Sequence, residues 1–195
     1  MTGRDLAERR GLDSEVYEPA EDSHLLAETA AERITSRDRV LDCGTGSGYV
    51  GAHVAEVCGA DVVASDLNPH ACRRAAGEGL DAVRADLLDP FSEEAFDAVL
   101  FNPPYLPTAP DTEWDDWMER ALSGGESGRA VIEPFIDDVG RVLRPAGRAF
   151  LLVSSLTGYE AVLGLAAEAG FRAESLREES YPFETLSVVV LTRRP

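Results

Sequence analysis

Asn102, Pro103, Pro104 and Tyr105 follow directly on the apolar run FDAVLF, residues 96–101. Two consecutive prolines donate no backbone hydrogen bonds and fix φ, so a strand cannot run on through them. A plain reversal would use Asn-Gly or Asp-Gly. The stretch therefore reads as a rigid mount for polar groups at a strand tip. Asn102 carries an amide whose oxygen accepts and whose nitrogen donates. The carbonyl of Pro103 is a second acceptor, left free because no ladder partner can follow. Tyr105 adds an aromatic wall for something planar. Two fixed acceptors can hold both hydrogens of an –NH2 group. That grip suits methyl transfer to a planar nitrogen, such as a side-chain amide or a base amine, whose delocalised lone pair must be turned toward the methyl group. Orientation would supply most of the acceleration, with no covalent enzyme intermediate.

A second group of residues lies upstream, in LDCGTGSGYVG. Gly44, Gly46 and Gly48 let the backbone turn sharply and approach a ligand. Gly46, Gly48 and Gly51 also fit G-x-G-x-x-G, so the loop alone is compatible with a dinucleotide. Asp42 pulls away from that reading. A carboxylate before the glycines repels a pyrophosphate but can pair with an ammonium or sulfonium. Asp66, twenty residues past Gly46 and next to Leu67, is placed for two ribose hydroxyls. Asp86 is placed for an exocyclic adenine amine. A cationic amino acid, a ribose and an adenine together describe S-adenosylmethionine (SAM). Asp89, before PFSEE, reads as a cap or surface acid. His24, His53 and His70 share no spacing and are given no chemistry.

These residues need a scaffold that brings strand tips together. RVLDCG (39–44), DVVASD (61–66), DAVRAD (81–86), FDAVLF (96–101) and RAFLLVSS (148–155) read as strands. EDSHLLAETAAERI, YVGAHVAEVCG, NPHACRRAAGEG, GRAVIEPFIDDVGRVLRPAG and TGYEAVLGLAAEAG read as helices. Such alternation predicts an α/β protein with a parallel sheet covered on both faces. FRAESLREES and ETLSVVVLTR, separated by little more than a turn, predict an antiparallel pair at one side. In such sheets ligands bind beyond the carboxyl ends of the strands. Gly44, Asp66, Asp86 and Asn102 fall on four successive ends.

Composition narrows the class. The 195 residues suit one domain, 1–195, with 1–15 as a short extension. No apolar run is long enough to span a membrane, and the first twenty residues lack a signal-peptide core. A cytoplasmic location is expected. Cys43, Cys58 and Cys72 form no CxxC pair and read as small buried residues; no metal site is expected. The net charge is −18 and no lysine occurs. So acidic a surface suits a cytoplasm at molar salt, where self-repulsion is screened, although a coding bias toward Arg gives the same composition. It also disfavours nucleic-acid partners.

LDCGTGSG, ASDLNPHA, RADLLDPF and FNPPY together resemble the class I SAM-dependent methyltransferases that modify amide or amino nitrogens. Within them the chain resembles the HemK family, which methylates the glutamine of the Gly-Gly-Gln motif in translation release factors. VYEPAEDSHLL (16–26) is similar to the entry motif of its short archaeal and eukaryotic branch, and ALSGGESGRAVIEPFI (121–136) to the segment after its catalytic loop. The bacterial branch has an extra N-terminal helical domain where this chain has some fifteen residues. The resemblance implies a Rossmann-like, seven-stranded, mostly parallel sheet with an antiparallel last strand. It implies that Ser23 (Thr in most of the family) contacts SAM. Asp42, Gly44 and Gly46 would hold its methionine part, Asp66 its ribose and Asp86 its adenine side, with Leu67 and Asn102 also among the cofactor-binding residues. Asn102, Pro103, Pro104 and Tyr105 would bind the target amide. It also implies a release factor as substrate and, at the edge strand DAVRAD, a small zinc-binding activator subunit. Methylation of an exocyclic base amine in tRNA, rRNA or DNA is the competing activity, and a regulatory SAM-binding module or an NAD-dependent dehydrogenase the competing classes. Residues 109–125 are expected to form the substrate rim, with Trp114 and Trp117 packed beneath it.

Overall fold

Successive side chains of a strand point to opposite faces, and here both faces are apolar. In β1 (Arg39–Cys43), Leu41 and Cys43 enter one core layer and Val40 the other. In β4 (Phe96–Phe101), Val99 and Phe101 go with the first layer and Ala98 and Leu100 with the second. β5 (Leu143–Ser154) alternates likewise, with Leu151 and Val153 against Phe150 and Leu152. The first layer is closed by α5 (Ile132–Val142) and α6 (Tyr159–Glu168). The second is closed by α1 (Glu21–Ala31), α2 (Tyr49–Cys58) and α3 (Pro69–Gly77). A computed structural model describes residues 16–108 and 117–194 of this arrangement.

The remaining strands are β2 (Asp61–Asp66), β3 (Asp81–Arg84), β6 (Phe171–Ser180) and β7 (Thr185–Arg193). The seven form one sheet in the order β3-β2-β1-β4-β5-β7-β6. β7 runs antiparallel to both β5 and β6; the other pairs are parallel. The α/β fold and the antiparallel hairpin are therefore as the sequence predicts. The order reverses between β1 and β4, and a crevice opens where connections leave in opposite directions. Register aligns the tips: Cys43 pairs with Ser65 on one side and Phe101 on the other, and Asp66 pairs with Arg84.

Several boundaries differ from expectation. The helix read over 128–147 occupies only Ile132–Val142, and β5 starts at Leu143 rather than at 148. Pro145 has no N–H and disfavours a helical residue before it, so the helix ends ahead of Arg144. β3 stops at Arg84, so Asp86 lies just beyond the ladder. Cys43 is buried as expected, whereas Cys58 and Cys72 are half-buried; all three are free thiols. No described helix is long and apolar enough to cross a membrane. The N-terminal extension 1–15, Trp114 and the rest of 109–116 lie outside the described residues.

Candidate active site

A cleft of about 1500 Å³ opens at the carboxyl ends of the strands, lined by the residues the sequence assigns to cofactor and target amide. Ser23, Asp42, Gly44, Gly46, Asp66, Leu67, Asp86 and Asn102 to Tyr105 all contribute to one wall or another.

The glycine loop is held by two carboxylates. Asp42, 2% exposed, accepts at Oδ2 from the Thr45 hydroxyl (2.5 Å) and the Gly51 amide (3.0 Å). Burial pushes its carboxyl up to about 6 against the pull of these bonds, with Asp66 adding a like charge. Asp66 accepts the Gly46 amide at Oδ2 (2.9 Å) and the Asn68 amide at Oδ1 (2.8 Å). Burial raises it as well. Each carboxylate oxygen has a second lone pair, so Asp66 keeps acceptor capacity for hydroxyls in the cleft. Gly44 and Gly46 stand at φ +63° and +53°, and the space a Cβ would take at Gly46 is open. Gly51 is confined differently, since a Cβ there would lie 2.8 Å from Asp42 Oδ2. Asp86 is exposed at the rim. Asp89 is exposed too, as a surface acid.

The entry segment folds over this loop. Glu18 receives two bonds from the Arg74 guanidinium, both 2.6 Å, which hold its carboxyl below the usual range. That fork ties residues 16–20 to α3 and leads into α1. Ser23, in the first turn of α1, faces Asn102: Asn102 Nδ2 donates to Ser23 Oγ at 3.4 Å. Asn102 Oδ1 is buried and has no hydrogen-bond partner among the described residues. Pro103 is buried and Tyr105 half-buried against the second core layer.

The residues after Tyr105 are braced by 122–130. Leu106 N–H donates to Leu122 O (3.0 Å), Gly124 N–H to Leu106 O (2.9 Å) and Thr108 N–H to Gly125 O (2.9 Å). Arg129 closes the brace by donating to Thr157 O at 2.5 Å. The sequence shows this Gly-Gly segment, but which carbonyls it meets is settled only in three dimensions. Trp117, at the start of the four-residue α4 (Trp117–Arg120), lines the cleft, and the Arg120 guanidinium covers its ring at 5.4 Å. The turn after β6 completes the mouth with Phe183, 92% exposed. Sequence reasoning missed Asp22, Thr45, Phe183 and Glu184. Asp22 matters through Asn102, far along the chain, Thr45 through a side-chain bond to Asp42 that its type alone does not announce, and Phe183 and Glu184 sit on a turn with no motif. Among the described residues, no His/Cys/Asp/Glu cluster fit for a metal ion is present.

The methyltransferase small domain family matches residues 18–115. A Methanocaldococcus jannaschii protein, provisionally named a protein N5-glutamine methyltransferase, is 34% identical over 184 residues, 91% of this chain and 92% of that one. Human methyltransferase HEMK2 is 32% identical over 198 residues, 94% and 92% of the two chains. Among solved structures, the E. cuniculi Mtq2–Trm112 complex, described as responsible for methylating the translation termination factor eRF1, is 31% identical. It aligns with a TM-score of 0.76 over 93% of this chain and 100% of that one. With the cleft and its Asn-Pro-Pro-Tyr tip in place, these similarities carry the assignment: the chain belongs to the HemK family of N5-glutamine methyltransferases.

Proposed function

We propose that the protein, working as a single methyltransferase domain, uses SAM to methylate the glutamine side-chain amide of the Gly-Gly-Gln motif in a class I translation release factor. The observation that carries this reading is Asn102 Oδ1, a buried acceptor with no described partner, standing beside the Pro103 carbonyl at the tip of β4. A buried acceptor left unpaired is costly, and a ligand N–H would satisfy it. Asn102 Oδ1 and Pro103 O take one hydrogen each from the substrate amide. Tyr105 flanks its plane. The grip turns the nitrogen lone pair toward the glycine-loop end of the cleft, and water can take the proton afterwards.

The residues present fit SAM. Asp66 retains lone pairs for ribose hydroxyls, Gly44 and Gly46 leave the loop open, and Asp42 and Asp66 favour a cation. Ser23, Leu67 and Asp86 line the remainder. When bound, SAM supplies an electrophilic methyl on its sulfonium. A base amine is the weaker candidate, because Glu18, Glu21, Asp22, Asp66, Asp86 and Glu184 line the cleft and Arg120 is the one described cation there. Phosphates would meet repulsion. A small activator subunit adds to β3, an edge strand that among the described residues pairs only with β2 and leaves Val83 40% exposed.

The test is transfer from labelled SAM to a release-factor domain, its glutamine variant, tRNA, rRNA and DNA. Mass spectrometry should place one methyl on the glutamine, lost in the variant. Label entering only nucleic acid would overturn the reading.

A further inference from the structure

Asn102 works only if its amide points the right way. The two ends of an amide are nearly the same size, so sterics alone do not choose between them. If the amide were reversed, an –NH2 would face the substrate –NH2, donor against donor. Something in the fold must therefore select the orientation.

Asp22 is the group placed to do so. It is 5% exposed at the start of α1, and its Oδ1 accepts both the Ser23 amide (2.6 Å) and the Ser23 hydroxyl (3.1 Å). Ser23, 6% exposed, has one hydroxyl proton. With that proton committed to the carboxylate, Ser23 Oγ can only accept. Asn102 must then present Nδ2 to it, the observed 3.4 Å contact, and Oδ1 is left over for the cleft. We propose that Asp22 is a positioning residue for methyl transfer, fixing the polarity of the Asn102 amide through the Ser23 hydroxyl. The carboxylate touches no reacting atom; its effect passes along two hydrogen bonds. This deepens the methyl-transfer reading above and rests on it.

Asp22→Asn is the informative change because it keeps size and reverses polarity. The new amide can donate to Ser23 Oγ, which frees the Ser23 proton for Asn102 Oδ1 and lets the Asn102 amide turn over. Misorientation of a positioned group of this kind lowers rates by about 10²-fold. The experiment is a double-mutant cycle of Asp22→Asn and Ser23→Ala, with Ser23→Thr as the conservative variant. It is read as kcat and KM for the methyl acceptor, as affinity for S-adenosylhomocysteine, and as the NMR resonances of the Asn102 side-chain –NH2, identified by their loss in Asn102→Asp.

Expected is a fall of about 10²-fold in kcat for either single variant, with KM and S-adenosylhomocysteine affinity of Asp22→Asn within about twofold. The double variant should be no worse than Ser23→Ala alone, Ser23→Thr should restore kcat, and the Asn102 –NH2 resonances should move in Asp22→Asn. Additive losses would mean that Asp22 acts directly on the substrate, and unmoved Asn102 resonances would mean that no relay exists; either overturns the proposal. The resonances need no acceptor. A wild-type enzyme inert toward the release factor therefore counts against the substrate, while the Asp22 relay is still judged on the spectrum.

Discussion

Gly128 lies against the carbonyl of Tyr105, so close that a Cβ on Gly128 would sit 2.7 Å from that oxygen, and its φ is +72°. Both facts exclude a side chain. The residue that ends the Asn-Pro-Pro-Tyr tip and the residue that precedes Arg129 are thus one packed unit. Gly124 meets the same point from the other side, since its Cβ would fall 2.6 Å from the Gly128 carbonyl carbon. Gly128→Ala is expected to cost about 1–3 kcal/mol of stability through strain at a positive φ. It should also lower kcat more than it weakens SAM binding, because the displaced element is the Tyr105 backbone. Thermal unfolding and steady-state kinetics check the two parts.

Asp42 predicts a pH dependence with two opposite signs. Its carboxyl rises from 3.8 to about 6 in the fold. The folded chain then holds the proton over a window where the unfolded chain has released it. Stability of the free protein accordingly falls as pH rises through that window. A cation beside Asp42 favours the ionised form, so SAM binding does the reverse: Kd should rise as pH drops below about 6. Asp42→Asn should flatten the Asp42 share of both profiles. Calorimetric titration with SAM across the range, paired with melting curves, measures them; a Kd that is flat through pH 6 would contradict the assignment of Asp42 to the cationic end.

Gly51 gives a test of the same carboxylate from its other side. Its amide donates to Asp42 Oδ2, and a methyl at its α-carbon would press on that oxygen at 2.8 Å. Gly51→Ala should therefore weaken SAM by about tenfold, or 1.4 kcal/mol, by pushing Asp42 out of place. Gly46→Ala has open space at its Cβ, so the strain of φ +53° alone carries its effect. Isothermal titration of the two variants separates displacement from strain.

How much of this was readable in the chain depends on the range of the contact. The glycine loop, the acidic tips and the Asn-Pro-Pro-Tyr turn are local patterns with fixed spacing, and they occupy one cleft. The start of β5 was missed because LRPAG continues the helical apolar rhythm, and only the pairing of Leu143 with Phe96 shows the chain already extended. Asp22 was missed because it looks like any first-turn acid of a helix; its meaning comes from Asn102, 80 positions on through Ser23. The Gly-Gly segment was visible as a motif, whereas its grip on Leu106 and Tyr105 arises from the fold.

The acidic surface makes a prediction of its own. With a net charge of −18 and no lysine, repulsion among surface carboxylates should dominate at low salt. The midpoint of thermal unfolding is expected to climb as KCl is raised into the molar range, since the screening length shortens to a few ångström there. An unchanged midpoint would assign the lysine-free composition to coding bias instead.

Cys43 and Phe101 face each other across one rung of the β1–β4 ladder, and the two halves of the cleft hang from them: the glycine loop from β1, the Asn102 tip from β4. On the proposed methyl-transfer reading, the spacing between donor and acceptor is therefore a dimension of the sheet, shared with its most buried strands. The rest of the cleft wall is attached elsewhere, on the 122–130 brace and the Tyr181–Glu184 turn. Such a division would let the rim of the cleft be rewritten while the strand tips keep their spacing.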